Sequence, residues 1–126
     1  MGLLIALSGI FLAAFNHSQE KKDLTPSETI ITVHELAKDG DIEGTKEYMD
    51  DDILMAFEKG TYWGGTYPEF ILDYAEKTKF VSPIEKQLVI SGESATIDVM
   101  ITYTDQSEET KKYVLVMENG IWKIAN

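Results

Sequence analysis

Residues 84 to 125 read IEKQLVISGESATIDVMITYTDQSEETKKYVLVMENGIWKIA, and this stretch decides the fold. Between Ala95 and Tyr103 apolar and polar residues alternate, which is the period of a half-buried antiparallel strand. Asn119-Gly120 is the two-residue signature of a type I′ hairpin turn, because both turn positions need a positive φ angle. The stretch therefore predicts a four-stranded antiparallel meander that closes on this hairpin.

The strand predicted from Lys111 to Glu118 differs from the one before it, because it is apolar on both faces. Its odd-numbered positions from 113 to 117 would point to one face, and Val114 and Val116 would point to the other. A strand that is covered on both faces lies inside a sheet, so we expect this one to be central. Trp122 follows the hairpin turn at a core position and is expected to be structural.

Helical signals fill the chain before the meander. Thr25-Pro26-Ser27-Glu28 combines a capping threonine, a proline at the first helical position and the glutamate of a capping box. Apolar residues then recur at spacings of three and four, and they predict helices over 26–39, 41–49, 53–59 and 68–78. Helices and meander together predict an α+β fold in which N-terminal helices pack on a curved four-stranded antiparallel sheet.

Four motifs carry a resemblance that spans residues 25 to 125. They are Thr25-Pro26-Ser27-Glu28, Lys38-Asp39-Gly40-Asp41, Ser94-Ala95-Thr96-Ile97-Asp98-Val99 and Asn119-Gly120-Ile121-Trp122-Lys123-Ile124. In this order they resemble the nuclear transport factor two-like, cystatin-like cone superfamily. More narrowly, the chain is similar to small bacterial envelope lipoproteins of unknown function that are grouped with lumazine-binding-like domains. The resemblance implies a cone-shaped sheet with a pocket used for ligands, catalysis or dimerisation, and it carries over no catalytic residue.

The N-terminal segment predicts the cellular location of the protein. Leu3 to Phe15 is a largely apolar run of 13 residues, shorter than the roughly 20 residues of a membrane span but typical of a signal-peptide core. We therefore divide the chain into a signal-peptide-like segment (1–15), a flexible linker (16–24) and a cone domain (25–126). We expect an exported protein of the bacterial cell envelope, either membrane-anchored or free in the periplasm or outside the cell.

Phe15 stands where a bacterial lipobox has its lipid-bearing cysteine, directly after Leu12-Ala13-Ala14. We hypothesise that the native protein is a lipoprotein that associates with the membrane through this position. On that hypothesis, Phe15 is a substitution that blocks lipidation. A plain secretory signal, or a short amphiphilic segment that packs on a partner, are the alternatives.

The net charge of the chain favours some classes of binding partner over others. Asp and Glu number 22 against 11 Lys and Arg, which gives a net charge of −11. Nucleic acid is disfavoured as a partner, because binding to phosphates needs a basic face. A basic protein, a cationic ligand or plain solubility fits the charge better. The chain has no cysteine, which excludes thiol nucleophiles and cysteine-ligated metals, and we expect no metal site and no cofactor.

Aromatic residues form the best candidate for a binding site. Five of them lie near one helix-loop-helix, in the glycine-rich stretch or in a predicted helix before or after it: Tyr48, Tyr62, Trp63, Tyr67 and Tyr74. They could line the mouth of the cone and stack on a planar ligand, or anchor a protein partner. Ordinary packing of the loop over the wide end of the cone is the alternative.

His34 borders the apolar stripe of the first predicted helix. It could act as a general base paired with Asp73 or Asp98, since cone-fold isomerases and dehydratases use such groups. A single structural hydrogen bond is the simpler interpretation. We assign no catalytic residue, and we keep His34 with the aromatic residues as a candidate for binding.

Three classes of function fit these observations. A noncatalytic envelope module that binds a small ligand or a protein is favoured, because the sequence shows no nucleophile or metal set. An acidic immunity or inhibitor protein against a basic partner is the second class, and an isomerase or dehydratase that uses the cone pocket is the third. Met100, Val114 and Val116 could form a homodimer surface on the outer face of the sheet.

Overall fold

A computed structural model of the chain describes residues 24–125. The predicted signal segment, nearly all of the linker and Phe15 lie outside the described residues. Four α-helices come first: α1 (Pro26–Lys38), α2 (Ile42–Lys46), α3 (Asp51–Glu58) and α4 (Tyr67–Lys77). Over residues 24–125, no helix has the length and apolar character that crossing a membrane would require.

A five-stranded antiparallel sheet follows the helices. Its strands are β1 (Thr78–Pro83), β2 (Val89–Ser91), β3 (Ser94–Tyr103), β4 (Glu108–Glu118) and β5 (Ile121–Ile124), with a short 3₁₀ turn at Glu85–Gln87. The main order is β1-β3-β4-β5, and β2 pairs with the other end of β3. The strand β4 lies between β3 and β5, so the prediction of a central position for it is confirmed.

The predicted α+β architecture is confirmed, but the sheet has one strand more than the four that were predicted. A single strand was expected near residues 84–90, where the chain instead forms the 3₁₀ turn and only the short β2. The missed strand is β1, which begins directly after α4 and pairs with the end of β3. In this strand Thr78 is buried and Val81 and Pro83 are half-buried, while the apolar Phe80 is exposed, so its sequence shows no sustained alternation of apolar and polar residues.

The helix α1 begins as its capping signal predicted. The Thr25 side chain accepts a hydrogen bond from the Glu28 amide, and the Glu28 side chain accepts one from the Thr25 amide. The buried face of α1 carries Ile30, Val33 and Ala37, which are each no more than 4% exposed. This face packs against the sheet, and burial of a side chain the size of Ile30 or Val33 stabilises the fold by about 1.5–3 kcal/mol.

The core lies between the helices and the concave face of the sheet. Alternate residues of β3 supply most of the sheet's share, and they are completely or nearly buried: Ala95, Ile97, Val99 and Ile101. Leu115 on β4 and Ile124 on β5 continue the same layer. Trp122 is 7% exposed and belongs to this core, as its position after the hairpin turn predicted.

Candidate ligand-binding cavity

A cavity of about 520 Å³ opens between the helices and the concave face of the sheet. Cavities of roughly 300–1,000 Å³ are the usual size for small-molecule sites in proteins. Apolar side chains form much of its wall, from α1 (Ile30 and Val33), from α4 (Ile71) and from the sheet (Ile101 and Ile124). All five are buried, so this part of the cavity offers a ligand contacts with hydrocarbon.

Aromatic rings complete the wall of the cavity, and they come from both halves of the fold. The loop after α3 and the helix α4 contribute Tyr62, Trp63, Phe70 and Tyr74, and the sheet contributes Tyr103 and Tyr113. Trp63 packs edge-on against Phe70 with ring centroids 5.5 Å apart, and Tyr62 does so at 6.1 Å. The two loop rings, which are about 40% exposed, therefore rest on a fixed ring of α4.

The backbone of the loop explains why glycine accompanies these rings. A side-chain carbon at Gly65 would lie 2.8 Å from a ring carbon of Trp63 and 2.8 Å from a carboxylate oxygen of Glu69. Only glycine leaves room for the indole and the carboxylate at this point. Glu69 in turn accepts a hydrogen bond from the Thr66 amide, while Thr66 caps the first turn of α4. The aromatic loop is thus tied to the start of α4.

The phenol groups of Tyr74, Tyr103 and Tyr113 are neutral at physiological pH. Burial raises the pKa of Tyr74 well above its ordinary value and raises the pKa of Tyr113 to about 12. The hydroxyl of Tyr103 donates a hydrogen bond to a Glu109 carboxylate oxygen at 2.6 Å, and this bond raises the pKa of Tyr103 to about 12. Within residues 24–125, the hydroxyls of Tyr74 and Tyr113 have no hydrogen-bond partner, so both can bond to a ligand.

Four charged residues border the cavity, and three of them are paired. Asp73 and Lys77 form an ion pair one helical turn apart on α4, with 3.0 Å between oxygen and nitrogen. Lys112 forms an ion pair with Asp98 at 3.1 Å. Lys111 makes no ion pair or hydrogen bond with any residue in the described part of the chain.

The structure separates the aromatic residues that the sequence grouped together. Tyr62, Trp63 and Tyr74 line the cavity. Tyr67 is 5% exposed and bonds through its hydroxyl to the Thr45 hydroxyl at 2.7 Å, while its ring packs on the helical core. Tyr48 is 2% exposed and belongs to the core. The role of all five in binding stays a prediction, but three of them now share one cavity.

His34 lies behind the wall of the cavity and does not line it. Its Nε2 atom is 3.4 Å from the backbone carbonyl oxygen of Thr78, and its ring meets Tyr74 edge-on at 5.8 Å. Neither carboxylate suggested for it is its partner, because Asp73 and Asp98 pair with lysines instead. Among residues 24–125, no three His, Cys, Asp or Glu side chains are grouped closely enough to hold a metal ion.

Sequence reasoning missed the contribution of the sheet to this site. Tyr103, Lys111 and Tyr113 were interpreted only as parts of an alternating pattern. The same alternation places Lys111 and Tyr113 on one face of β4 with the buried Leu115. The alternation therefore indicated which side chains share the inner face of the sheet. Only the position of the cavity shows that Lys111 and Tyr113 form part of a site.

Comparison with known proteins supports the fold. A candidate NTF2-like transpeptidase from Campylobacter jejuni superposes with a TM-score of 0.58 and 15% identity, covering 82% of this chain and 99% of that chain. The fold is NTF2-like, that is, nuclear transport factor two-like. A SEC-C motif containing protein from Rhodopseudomonas palustris also superposes with a TM-score of 0.58, at 10% identity, covering 81% of this chain and 76% of that chain. No protein-family model and no curated protein match the sequence.

Proposed function

We propose that this protein is a noncatalytic binding module of the cell envelope, whose cone cavity holds a small ligand with a flat, apolar body. The single observation that carries the proposal is the composition of the cavity wall. It combines buried aliphatic residues with six aromatic rings around about 520 Å³. Aromatic rings bind flat apolar groups by offset and edge-on stacking. The hydroxyls of Tyr74 and Tyr113, which bond to no residue of the described chain, can orient a polar substituent.

The same wall argues against catalysis as the main role. The chain has no cysteine to serve as a nucleophile. The histidine of the domain lies outside the cavity, and Asp73, the carboxylate on the described wall, is held in an ion pair with Lys77. An isomerase or dehydratase needs a general acid or base that faces the substrate. The likeness to a candidate transpeptidase is a likeness of fold and supplies no such group.

A fluorescent probe can test the proposed cavity directly. N-Phenyl-1-naphthylamine is neutral and flat, and its emission rises when it leaves water for an apolar site. We expect the full-length protein to bind it saturably at one site. We expect Trp63→Ala to weaken binding by about threefold to tenfold, because the substitution removes one aromatic contact of roughly 0.5–1.5 kcal/mol.

Met55→Ala is the matched control for Trp63→Ala. Met55 is also an exposed apolar residue near the aromatic loop, at 49% exposure, but it does not line the cavity. We expect its affinity for the probe to equal that of the wild type. Absence of saturable binding in a protein with native near-ultraviolet circular dichroism would overturn the proposal. An equal loss of affinity for the probe in both variants would indicate that the probe binds on the helical surface and not in the cavity.

The envelope location is part of the proposal and rests on residues 1–15. Their apolar run is typical of an export signal. We expect protein purified from its native host to have a processed N-terminus, and mass spectrometry of the intact chain measures this. A full-length, unmodified N-terminus would contradict export through this segment and would leave the binding proposal standing.

A further inference from the structure

We infer that the ligand of the cavity is an aromatic anion, whose negative group is bound by Lys111. This inference rests on the proposed function and specifies its ligand. It is unexpected for a protein of net charge −11, which would repel anions at long range and attract cations. The local arrangement of charges on the wall of the cavity carries the inference.

The register of the sheet places Lys111 on the concave face. Lys111 lies opposite Val99 across β3 and β4, and Tyr113 lies opposite Ile97. Val99 and Ile97 are completely buried in the core. Residues that lie directly opposite each other on paired strands point to the same face of the sheet. The side chains of Lys111 and Tyr113 therefore both project from the concave face, where they line the cavity.

The neighbouring Lys112 also borders the cavity, but the same register directs it toward Asp98 on the other face of the sheet, so its charge is neutralised. Lys112 lies opposite Asp98, and the two side chains form an ion pair at 3.1 Å. Lys77 is neutralised by Asp73 at 3.0 Å. Among the described residues around the cavity, the ammonium group of Lys111 is the charge that has no counter-charge.

The carboxylate nearest to Lys111 in the sequence does not neutralise its charge. Glu109 precedes Lys111 by two positions on β4, and its carboxylate accepts the hydroxyl hydrogen of Tyr103 at 2.6 Å. It does not form an ion pair with Lys111. An anionic group of a ligand could instead meet the Lys111 ammonium and the neutral Tyr113 hydroxyl together. Hydrogen bonds between charged partners are roughly twice as strong as those between neutral ones.

The rival ligand is a cation enclosed by the aromatic rings. Such a site binds through the negative faces of the rings and is strengthened by an unpaired carboxylate beside them. On the wall of this cavity the carboxylate of Asp73 is already paired with Lys77, and the free charge is positive. The arrangement thus favours an anion over a cation.

Two dyes with the same anilinonaphthalene body separate the charge from the apolar contacts. 8-Anilinonaphthalene-1-sulfonate carries one sulfonate, and N-phenyl-1-naphthylamine carries none. We expect Lys111→Gln to weaken binding of the sulfonate dye by about fivefold while affinity for the neutral dye stays within twofold of the wild type, because one partly hydrated charge pair is lost. Lys86→Gln, in the exposed 3₁₀ turn away from the cavity, is the control and should change neither affinity.

Each outcome of this experiment decides a separate question. A selective loss for the sulfonate dye in Lys111→Gln supports the anion site. An unchanged or equally reduced affinity for both dyes would overturn it, and so would an equal effect of Lys86→Gln. If the wild type binds the neutral dye but prefers it over the sulfonate dye, the anion inference fails while the proposed function survives. If the wild type binds neither dye, the proposed function itself fails.

Discussion

At the scale of single residues, His34 shows how one side chain can join two elements from behind the wall of the cavity. It connects the middle of α1 to the junction between α4 and β1, through the carbonyl of Thr78 and the ring of Tyr74. Burial lowers the pKa of His34 below its ordinary value. The Thr78 carbonyl and Glu35 oppose this shift, and Lys38 adds to it.

The lowered pKa predicts how His34 affects stability as the pH changes. Above about pH 6.5 the imidazole is neutral in both the folded and the unfolded chain, so it adds no pH dependence. Below that pH the unfolded chain takes up the proton first, and folding stability falls until the folded-state pKa is reached. We expect the free energy of unfolding of the wild type to fall more than that of His34→Gln between pH 7.5 and 5.

Urea denaturation of both proteins at several pH values measures this difference. His17 and the carboxylates are common to both proteins, so their titration cancels in the comparison. Two parallel curves of stability against pH would show that the environment of His34 does not favour its neutral form. A smaller loss in the wild type than in His34→Gln would reverse the sign and contradict the described packing.

The sequence predicted a cluster of aromatic residues. It did not predict which of them would face the cavity and which would be buried in the core. Tyr62 and Tyr67 look equivalent in the sequence, because both follow a threonine beside glycines. In the fold Tyr67 begins α4 and turns inward to the hydroxyl of Thr45, whereas Tyr62 stays on the loop and faces the cavity. The difference depends on where α4 starts, and a sequence pattern locates the ends of a helix less precisely than it locates the helix itself.

At the scale of elements, local signals predicted most of the architecture. The capping box at Thr25 and the turn at Asn119-Gly120 both act over a few residues, and both are present, with positive φ angles at the two turn positions. The pattern of β4 also predicted its central place. Such signals are strong because each fixes backbone hydrogen bonds without needing the rest of the chain.

The edge of the sheet could not be predicted in the same way. Pairing of β1 with β3 joins residues that are about 20 positions apart, and it is interrupted by an irregularity after Thr78. An edge strand has one neighbour and an exposed side, so its sequence carries little alternation. The cavity could not be predicted for a related reason, because its wall combines α1, α3, α4 and four strands that only the folded chain brings together.

At the scale of the whole molecule, an acidic chain encloses a cavity, and among residues 24–125 the one unpaired charge that borders this cavity is positive. The net charge predicted a basic protein or a cation as the partner, and it describes the outer surface more than the cavity. The outer face of the sheet offers a second apolar region, with Val89 at 61% and Met100 at 36% exposure. Val114 belongs to the same face by its pairing with Thr96. A ligand in the cavity and a partner on this face would involve opposite sides of the sheet.

The central claim is that the cavity, and not the outer face, is the binding surface. The most direct measurement is the change in amide chemical shifts of the ¹⁵N-labelled full-length protein as N-phenyl-1-naphthylamine is added. We expect the largest changes at Trp63, Tyr74 and Tyr113, and we expect Val89, which lies on the outer face at the other end of β3, to stay unchanged. Changes centred on the outer face of the sheet, or no changes at a saturating concentration of the dye, would contradict it.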